Sequence, residues 1–407
     1  MVAIFPPLLT RDGRPAAELW ALDPDFHHLN HGSFGAVPQA VIQHQQGLHA
    51  EMRRNPVKWI CELPDRVAEA RTRVARQLGS DAQRTAFVSN LSAGISCAFN
   101  ALDNRGPIDV LVTSHGYGAV VMGAERLARR TGGALHTIEI PMAATADEVC
   151  ALVHDAVKRH RPRLFVVDQV TSATARAFPT TELCRVAHEL GALVYVDGAH
   201  APGVLEDPVE HEADVWVGNL HKFWCAPMGA AALVCNNPEL DLYPVIASWD
   251  APYPFPRRFD AQGTIDNTAW LCAPLAYEHL ETELGWRRIR EHSRMAIACA
   301  RERVAEALSA LGVEDPLPDV GQSVGPLLLA RLPGTRAWDH ESTDALRVPF
   351  MNRTGIVSAF TNIDDQAYVR LSAHAYTTEA DISAMTDHGI PILAEWIEAE
   401  LQERNDQ

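Results

Sequence analysis

The most constraining feature of this sequence is a pair of short apolar runs, each of which ends in polar residues. Residues 193–196 form a short apolar run with two β-branched valines, and Asp197 follows them directly, with His200 three positions later. Such a run is typical of a buried strand. A second apolar run, 215–217, leads into Gly218 and then into Asn219, His221 and Lys222. Because ligands bind outside the carboxyl ends of strands in open α/β sheets, we expect a carboxylate, two imidazoles and an amine at one sheet edge.

An acid and an amine at one sheet edge are the groups that pyridoxal 5′-phosphate chemistry requires. A lysine that forms a Schiff base with this cofactor needs an acidic partner for the pyridine nitrogen. A carboxylate keeps that nitrogen protonated, so that the ring accepts electrons from a carbanion. Asp197 is the candidate partner of the nitrogen, and Lys222 is the candidate Schiff-base lysine. An isolated pair would be two solvated strand ends, whereas two polar motifs that each follow an apolar strand indicate the cofactor site.

Five segments of the chain form a wider pattern and span nearly its whole length. They are Leu-Asn-His-Gly-Ser-Phe-Gly (29–35), Val-Asp-Gly-Ala-His-Ala-Pro-Gly (196–203), His-Lys (221–222), Gly-Thr-Ile-Asp (263–266) and Arg-Leu-Ser-Ala-His-Ala-Tyr-Thr-Thr-Glu (370–379). In this order they resemble the class V group of fold-type I pyridoxal-phosphate enzymes, which includes the cysteine desulfurases. The isopenicillin N epimerase-like branch, which also holds carbon–sulfur lyases of ergothioneine and lincosamide biosynthesis, is the most similar. The motifs indicate the family well and the reaction poorly.

The resemblance implies an α/β fold of the fold-type I transferase kind. A mostly parallel seven-stranded sheet would lie between helices, beside a smaller α+β C-terminal domain. Predicted strands and helices alternate along residues 85–196, which independently favours a parallel sheet. We expect an N-terminal arm with an active-site loop over 1–35, a large cofactor-binding domain over 36–285 and a small domain over 286–407. A helical stretch over 268–310 is predicted to cross between the two domains.

The resemblance also assigns cofactor contacts. Tyr117 stacks on the cofactor ring and joins Lys222 and Asp197 as a catalytic residue, while His200 contacts the phenolic oxygen beside Ser172. A helix opens after residue 90, and unpaired N–H groups at a helix N-terminus form an anion site. The phosphate is therefore expected to bind the backbone there and two side chains further on, through Leu91, Ser92, Asn219 and His221.

Substrate and partner contacts follow from three other segments. Arg370 interrupts an apolar strand, which is costly unless the guanidinium is paired. The family uses an arginine here for the α-carboxylate of an amino-acid substrate, although a structural salt bridge is the alternative. By resemblance, the loop of Asn30, His31 and Gly32 contacts the substrate. The same resemblance implies that Thr264 reaches the phosphate of the partner subunit, and hence a homodimer with shared active sites.

Family chemistry begins with an external aldimine, which frees Lys222 as a base at Cα. We expect carbon–sulfur β-elimination on a cysteine S-conjugate, with isopenicillin N-type epimerisation as the alternative and transamination after it. A cysteine desulfurase is disfavoured, because it needs a cysteine in the C-terminal domain and the last one here is Cys299.

Two alternatives follow from the same residues. An epimerase usually needs a second acid or base, for which His31, His115, Tyr117 and His374 are open candidates. A catalytically idle vitamin B6-binding protein is the alternative from another class. The joint presence of Lys222, Asp197 and Arg370 argues against it.

Composition excludes several other classes. The net charge of −17 lacks the basic footprint of a nucleic-acid-binding protein. No run approaches the roughly 18 apolar residues of a membrane span, and the N-terminus lacks a signal-peptide pattern. The eight cysteines are scattered without a Cys-x-x-Cys pair, which is typical of reduced thiols. We therefore expect a cytoplasmic enzyme of amino-acid or secondary metabolism, with no metal, nucleic-acid or membrane partner.

Overall fold

A computed structural model describes residues 5–103, 105–333, 345–363 and 366–396. These residues form two compact units. The sheet unit holds 37–172 and 176–280, and the terminal unit holds the described residues of 1–36, 173–175 and 281–407. The domain boundaries near residues 36 and 286 stay a prediction.

Helices and strands are numbered here in chain order. The described helices are α1 (Gln39–Arg54), α2 (Pro56–Gln77), α3 (Leu91–Asn100), α4 (Gly118–Thr131), α5 (Ala146–His160), α6 (Thr180–Glu189), α7 (Thr268–Glu283), α8 (Trp286–Ala310), α9 (Arg347–Thr354) and α10 (Glu379–Ala384). The described strands are β1 (His27–His28), β2 (Thr85–Val88), β3 (Val110–Thr113), β4 (Leu135–Ile138), β5 (Leu164–Asp168), β6 (Leu193–Asp197), β7 (Val215–Asn219), β8 (Ala231–Cys235), β9 (Leu327–Arg331), β10 (Ile356–Val357), β11 (Ala359–Ile363) and β12 (Gln366–Ser372). None of the described helices is both long and apolar enough to cross a membrane.

The sheet unit is built on a seven-stranded sheet of order β2-β8-β7-β6-β5-β3-β4. Strand β8 runs antiparallel to both of its neighbours, and the other pairs are parallel. Alternate side chains of β5 enter different apolar clusters: Phe165 and Val167 lie in one, Leu164 and Val166 in the other. Helices α5 and α6 contribute to the first cluster, and α3 and α4 to the second. Because both faces are covered, the central strands are apolar throughout, and the predicted fold class is confirmed.

The terminal unit contains a smaller antiparallel sheet of order β11-β12-β9. Its core joins α8 residues such as Val304 and Leu308 to Leu328 of β9 and Val369 of β12. The N-terminal segment belongs to this unit, because β1 pairs in parallel with β10, His27 opposite Ile356.

The predicted helical stretch over 268–310 consists of two helices. Helix α7 ends at Glu283 and α8 begins at Trp286. Between them Gly285 adopts a φ of +86°. A positive φ cannot continue a right-handed helix, and glycine adopts it at little cost.

Candidate active site

Lys222 and His200 are in direct contact in the sheet unit. The Nζ atom of Lys222 lies 3.1 Å from Nε2 of His200. The other ring nitrogen, Nδ1, lies 3.3 Å from the carbonyl oxygen of Val170. Because a carbonyl only accepts, Nδ1 carries the imidazole proton and Nε2 accepts a hydrogen bond from the lysine. His200 therefore orients the amine of Lys222.

Asp197 ends strand β6 and is 2% exposed. Its Oδ1 atom accepts the N–H of Ala199 at 2.9 Å. Its Oδ2 atom is buried and has no hydrogen-bond partner within the described part of the chain. Burial raises the pKa of Asp197 to about 6, while the Ala199 N–H and the charge of Lys222 oppose that shift. A buried acceptor of this kind fits a cofactor that presents an N–H group.

A second carboxyl, Asp168, lies beside Asp197 and was missed by sequence reasoning. The two residues are direct partners in the register of β5 and β6. The Asp168 carboxyl accepts the backbone N–H of Tyr117. Burial, and after it the negative charge of Asp197, raise the pKa of Asp168 well above its usual range. Both effects favour the protonated form of Asp168. The strand-end rule that selected Asp197 applies equally to Asp168 and would have found it.

The edge formed by Asp168, Asp197, His200 and Lys222, called the sheet edge below, is supported by Trp216. Its indole Nε1 donates to Oε1 of Gln169 at 3.0 Å. A Cβ atom on Gly198 would lie 2.2 Å from the indole nitrogen, and one on Gly218 would lie 2.2 Å from its ring edge. Glycine is required at both positions because the backbone passes directly over the ring.

The predicted phosphate contacts lie on the first turn of α3 and at and just after the end of β7. Asn219 and Leu91 contact each other, because Oδ1 of Asn219 accepts the Leu91 N–H at 2.9 Å. Without a bound phosphate, Asn219 therefore occupies this N–H, and the phosphate contact of Leu91 stays a prediction. Asn90 caps the same helix through the N–H of Ala93, whereas Ser92 is exposed on its first turn.

His221 has a fixed orientation. Its Nδ1 atom donates to the carbonyl oxygen of Ala230 at 3.0 Å, so Nε2 carries the lone pair of the neutral ring. Burial lowers the pKa of His221 and favours that neutral form. This imidazole can donate to a phosphate only after it takes up a proton at Nε2.

The remaining predicted residues of the sheet unit differ in their exposure to solvent. Tyr117 is 44% exposed at the N-terminus of α4, and Ser172 is half-buried after β5. Thr264 is exposed next to Gly263, and no hydrogen bond among the described residues joins it to the sheet edge. His115 is buried and donates from Nε2 to the carbonyl oxygen of Ile140 at 2.8 Å.

Arg370 lies in β12 of the terminal unit and is 5% exposed. Its Nη2 atom donates to Oγ of Ser33 at 2.8 Å and to Oδ1 of Asn30 at 3.4 Å. Asn30 also donates to the carbonyl oxygen of Ser358, and the Gly32 N–H donates to the hydroxyl of Ser372 at 2.8 Å. These contacts fix the loop of residues 30–33 along the end of β12. We call the residues that make them around the guanidinium and the loop the arginine assembly: Arg370, Asn30, Gly32, Ser33 and Ser372. Within the same loop, His31 stacks on His374. Ser33 is a contact that sequence reasoning missed.

Comparison with known proteins identifies the family of this chain. Residues 34–313 match the aminotransferase class-V family. The isopenicillin N epimerase of Streptomyces clavuligerus is 30% identical over 386 residues, which are 90% of this chain and 94% of that protein. A probable chloroplastic L-cysteine desulfhydrase of Arabidopsis thaliana is 27% identical over 277 residues, 63% of this chain and 58% of that protein.

A solved structure shares the fold. It is a C-DES mutant with glycine covalently linked to its PLP cofactor, and it matches with a TM-score of 0.73 and 18% identity, over 93% of this chain and 99% of that chain. The family match covers most of the chain. This protein therefore belongs to the aminotransferase class-V family and is a pyridoxal 5′-phosphate-dependent enzyme, which confirms the predicted family and cofactor.

Proposed function

We propose that this enzyme catalyses β-elimination on a cysteine S-conjugate and so breaks a carbon–sulfur bond of an amino acid. The observation that carries the proposal is the Lys222–His200 contact on the same sheet edge as the buried acceptor Asp197. The relative named as a cysteine desulfhydrase supports sulfur chemistry. Desulfurase chemistry is not proposed, because Cys299, the last cysteine, is buried in α8.

The proposed roles follow from hydrogen-bonding capacity. Bound pyridoxal 5′-phosphate supplies a sink for the electron pair that remains when Cα loses its proton. Asp197 would accept the ring-nitrogen N–H through Oδ2 as a carboxylate, and Asp168 would keep the proton of the carboxyl pair. His200 orients Lys222, whose Nζ atom removes the Cα proton as the general base. Tyr117 covers the ring face.

Substrate recognition is assigned to the arginine assembly. Arg370 binds the α-carboxylate through two parallel hydrogen bonds, the geometry that a guanidinium favours. Ser33 and Asn30 hold one end of the guanidinium from behind, so that its orientation is set before substrate arrives. Asn30, His31 and Gly32 complete the proposed substrate loop.

The phosphate is assigned to the start of α3 and the end of β7. Ser92 contributes an exposed hydroxyl on the first helical turn, where N–H groups and the helix dipole favour an anion. Asn219 and Leu91 would have to exchange their mutual hydrogen bond for phosphate contacts. His221 contributes after protonation at Nε2, which a neighbouring phosphate dianion favours.

Epimerisation of an amino acid such as isopenicillin N is the second candidate. The observation that favours it is the relative named isopenicillin N epimerase, which matches nearly the whole of both chains. Both reactions need removal of the Cα proton and differ in the next step. Elimination expels sulfur, whereas epimerisation returns a proton to the opposite face.

We further propose a cytoplasmic homodimer in which Thr264 reaches the phosphate of the partner subunit. The segment 243–253 exposes several large apolar side chains, among them Trp249, which is 97% exposed. An interface would cover such side chains. No disulfide joins the eight cysteines, all of which lie in the described residues, and a reducing compartment favours that state. Light scattering should give twice the chain mass, and Trp249→Glu should give the single-chain mass. Cell fractionation tests the location.

One incubation separates the reactions. Purified enzyme is mixed with S-ethyl-L-cysteine, and separately with an L-amino acid that lacks a β-leaving group, in heavy water. Elimination releases pyruvate, ammonia and ethanethiol. Epimerisation incorporates deuterium at Cα with inverted configuration and releases no thiol. Thiol release that disappears in Lys222→Ala supports the proposal, whereas inversion without thiol release would contradict it.

A further inference from the structure

Two buried histidines stack on each other in the terminal unit. The rings of His31 and His374 have centroids 4.1 Å apart and planes inclined by 12°, and each residue is 1% exposed. The Nδ1 atom of His31 lies 2.8 Å from the hydroxyl of Tyr376. The Trp20 ring meets both His374 and Tyr376 edge-on, at 5.8 and 5.3 Å. We call His31 and His374 the imidazole pair.

The composition of this cluster is unusual for a purely structural core. Two imidazoles carry four ring nitrogens, and burying them costs desolvation free energy. Apolar side chains of similar size would avoid that cost. The stacking distance also limits the charge that the pair holds. One proton can be shared with the Tyr376 hydroxyl and the rings, whereas a second would place two like charges 4.1 Å apart away from water. The imidazole pair is thus suited to hold one proton more than two neutral imidazoles carry.

The imidazole pair is fixed to the arginine assembly. His31 lies between Asn30 and Gly32, which bond Arg370 and Ser372 respectively. His374 lies two residues beyond the end of β12, the strand that carries Arg370. One short loop and one strand end therefore present both the guanidinium and the imidazole pair. A substrate carboxylate bound by Arg370 would thus be held by the same loop and strand end that carry the imidazole pair.

We propose that the imidazole pair, hydrogen-bonded to Tyr376, donates the proton that the leaving sulfur takes up. This assignment rests on the proposed carbon–sulfur lyase activity. Lys222 removes the Cα proton, and the electron pair left at Cα forms the Cα=Cβ bond. The Cβ–S bond breaks and its electron pair leaves on sulfur. The proton of the imidazole pair moves to that sulfur, which gives a neutral thiol and a neutral pair that is reprotonated from water.

Leaving-group chemistry tests this role. S-Ethyl-L-cysteine releases a basic thiolate that needs a proton, whereas S-(4-nitrophenyl)-L-cysteine releases a thiolate that leaves unaided. His31→Gln and His374→Gln should slow ethanethiol release by about 100-fold or more, the usual range for a lost general acid. Release of nitrothiophenol should change by less than about fivefold. Deuterium exchange at Cα in heavy water should continue, because Lys222 is untouched.

Matched controls keep the outcomes separate. His28→Gln removes another imidazole near Tyr376, with ring centroids 6.4 Å apart, and should leave both substrates unaffected. Equal losses on both substrates with a parallel loss of Cα exchange would overturn the assignment and leave the imidazole pair a purely structural role. If the unaltered enzyme shows neither exchange nor thiol release, the proposed function itself fails, and the assignment falls with it.

A measurement without turnover tests the geometry. In the cofactor-free protein, ¹H–¹⁵N correlation spectra of labelled histidine report which ring nitrogens carry protons. Tyr376→Phe should move the Nδ1 signal of His31, because that nitrogen loses its partner. His28→Gln should leave the signal in place. An unmoved signal in Tyr376→Phe would contradict the proposed proton-holding contact.

Discussion

The sheet edge and the arginine assembly are both buried polar groups, but they are held by different contacts. On the sheet edge, Asp168 and Asp197 end adjacent strands, and the backbone places them together. In the arginine assembly, Arg370 and Asn30 are separated by 340 residues and meet through side-chain hydrogen bonds. The sheet edge concentrates acids whose pKa values burial raises. The Nη2 atom of the arginine donates instead to two neutral oxygens, which fix its direction.

This difference determines which polar groups each region can lose. Strand-end residues keep their positions when one side chain changes, because the ladder holds the backbone. Their substitutions should therefore alter chemistry more than structure. The loop of residues 30–33 depends on its own hydrogen bonds, so its substitutions should alter substrate binding through orientation. Four experiments test this contrast, beginning with the one for which we expect the greatest loss.

The two carboxyls of the sheet edge should respond very differently to one isosteric change. Asp197→Asn should lower kcat/KM for thiol release by roughly 10²–10⁴-fold, because an amide cannot hold the ring nitrogen in its protonated form. Asp168→Asn replaces a neutral acid by a neutral amide that still accepts the Tyr117 N–H. Its effect should stay within about 1 kcal/mol, roughly fivefold. Comparable losses in both variants would show that Asp168 is ionised.

Arg370→Gln should act mainly on KM. A lost charged hydrogen-bond pair costs about 1.5–3 kcal/mol, so kcat/KM should fall by roughly 10–150-fold. Arg370→Lys should recover little, because an ammonium lacks the two-pronged geometry. Ser33→Ala is the matched probe of orientation and should cost about 0.5–1.5 kcal/mol. Steady-state kinetics on S-ethyl-L-cysteine measures all three, and a fall in kcat at constant KM would argue against carboxylate binding.

Gly198→Ala tests the support of the sheet edge. The added methyl would lie 2.2 Å from Trp216, and overpacking of this kind costs about 1–3 kcal/mol of unfolding free energy. Gly47→Ala is the same substitution on the exposed face of α1, with no atom within 4 Å, and should stabilise by about 0.5–1 kcal/mol. Urea denaturation compares the two. Similar changes in unfolding free energy for both variants would mean that the backbone over Trp216 shifts freely.

Cofactor binding should depend on pH through Asp197. Its pKa is raised to about 6 in the cofactor-free protein, so the carboxylate is present above that pH and is lost as pH falls through it. Affinity for pyridoxal 5′-phosphate should therefore drop by about tenfold for each pH unit below 6, relative to Asp197→Asn. Binding by the Asp197→Asn variant still reflects the titration of the cofactor itself. The difference between the two proteins therefore isolates the contribution of Asp197. Parallel binding curves for the two proteins between pH 5 and 8 would contradict the assignment.

The sequence allows the position of a residue to be predicted where that position follows locally from a strand end. Asp197 and Lys222 were selected because each follows a short apolar run, and the parallel order of β5, β6 and β7 brings those ends to one edge. The same rule was not applied to Asp168, although the sequence allowed it. The boundary between α7 and α8 can also be read from the sequence, because Gly285 precedes Trp286.

Other contacts could not be predicted, because they depend on tertiary geometry. The Leu91–Asn219 hydrogen bond spans 128 residues and forms only when α3 lies beside the end of β7. Ser33 meets Arg370 through the pairing of β1 with β10 and the fold of the following loop. The stacking of His31 on His374 has no periodic signal at all. The sequence motifs that contain these residues identify the segments involved, but not which side chains meet.

Reduction of the purified, cofactor-loaded enzyme with borohydride, followed by peptide mapping, locates the cofactor site directly. The chain has three lysines, Lys58, Lys158 and Lys222, and the first two are exposed. We predict a reduced pyridoxyl group on Lys222 and none on the other two. A label confined to Lys58 or Lys158, or no stable label, would contradict the assignment of the sheet edge as the cofactor site.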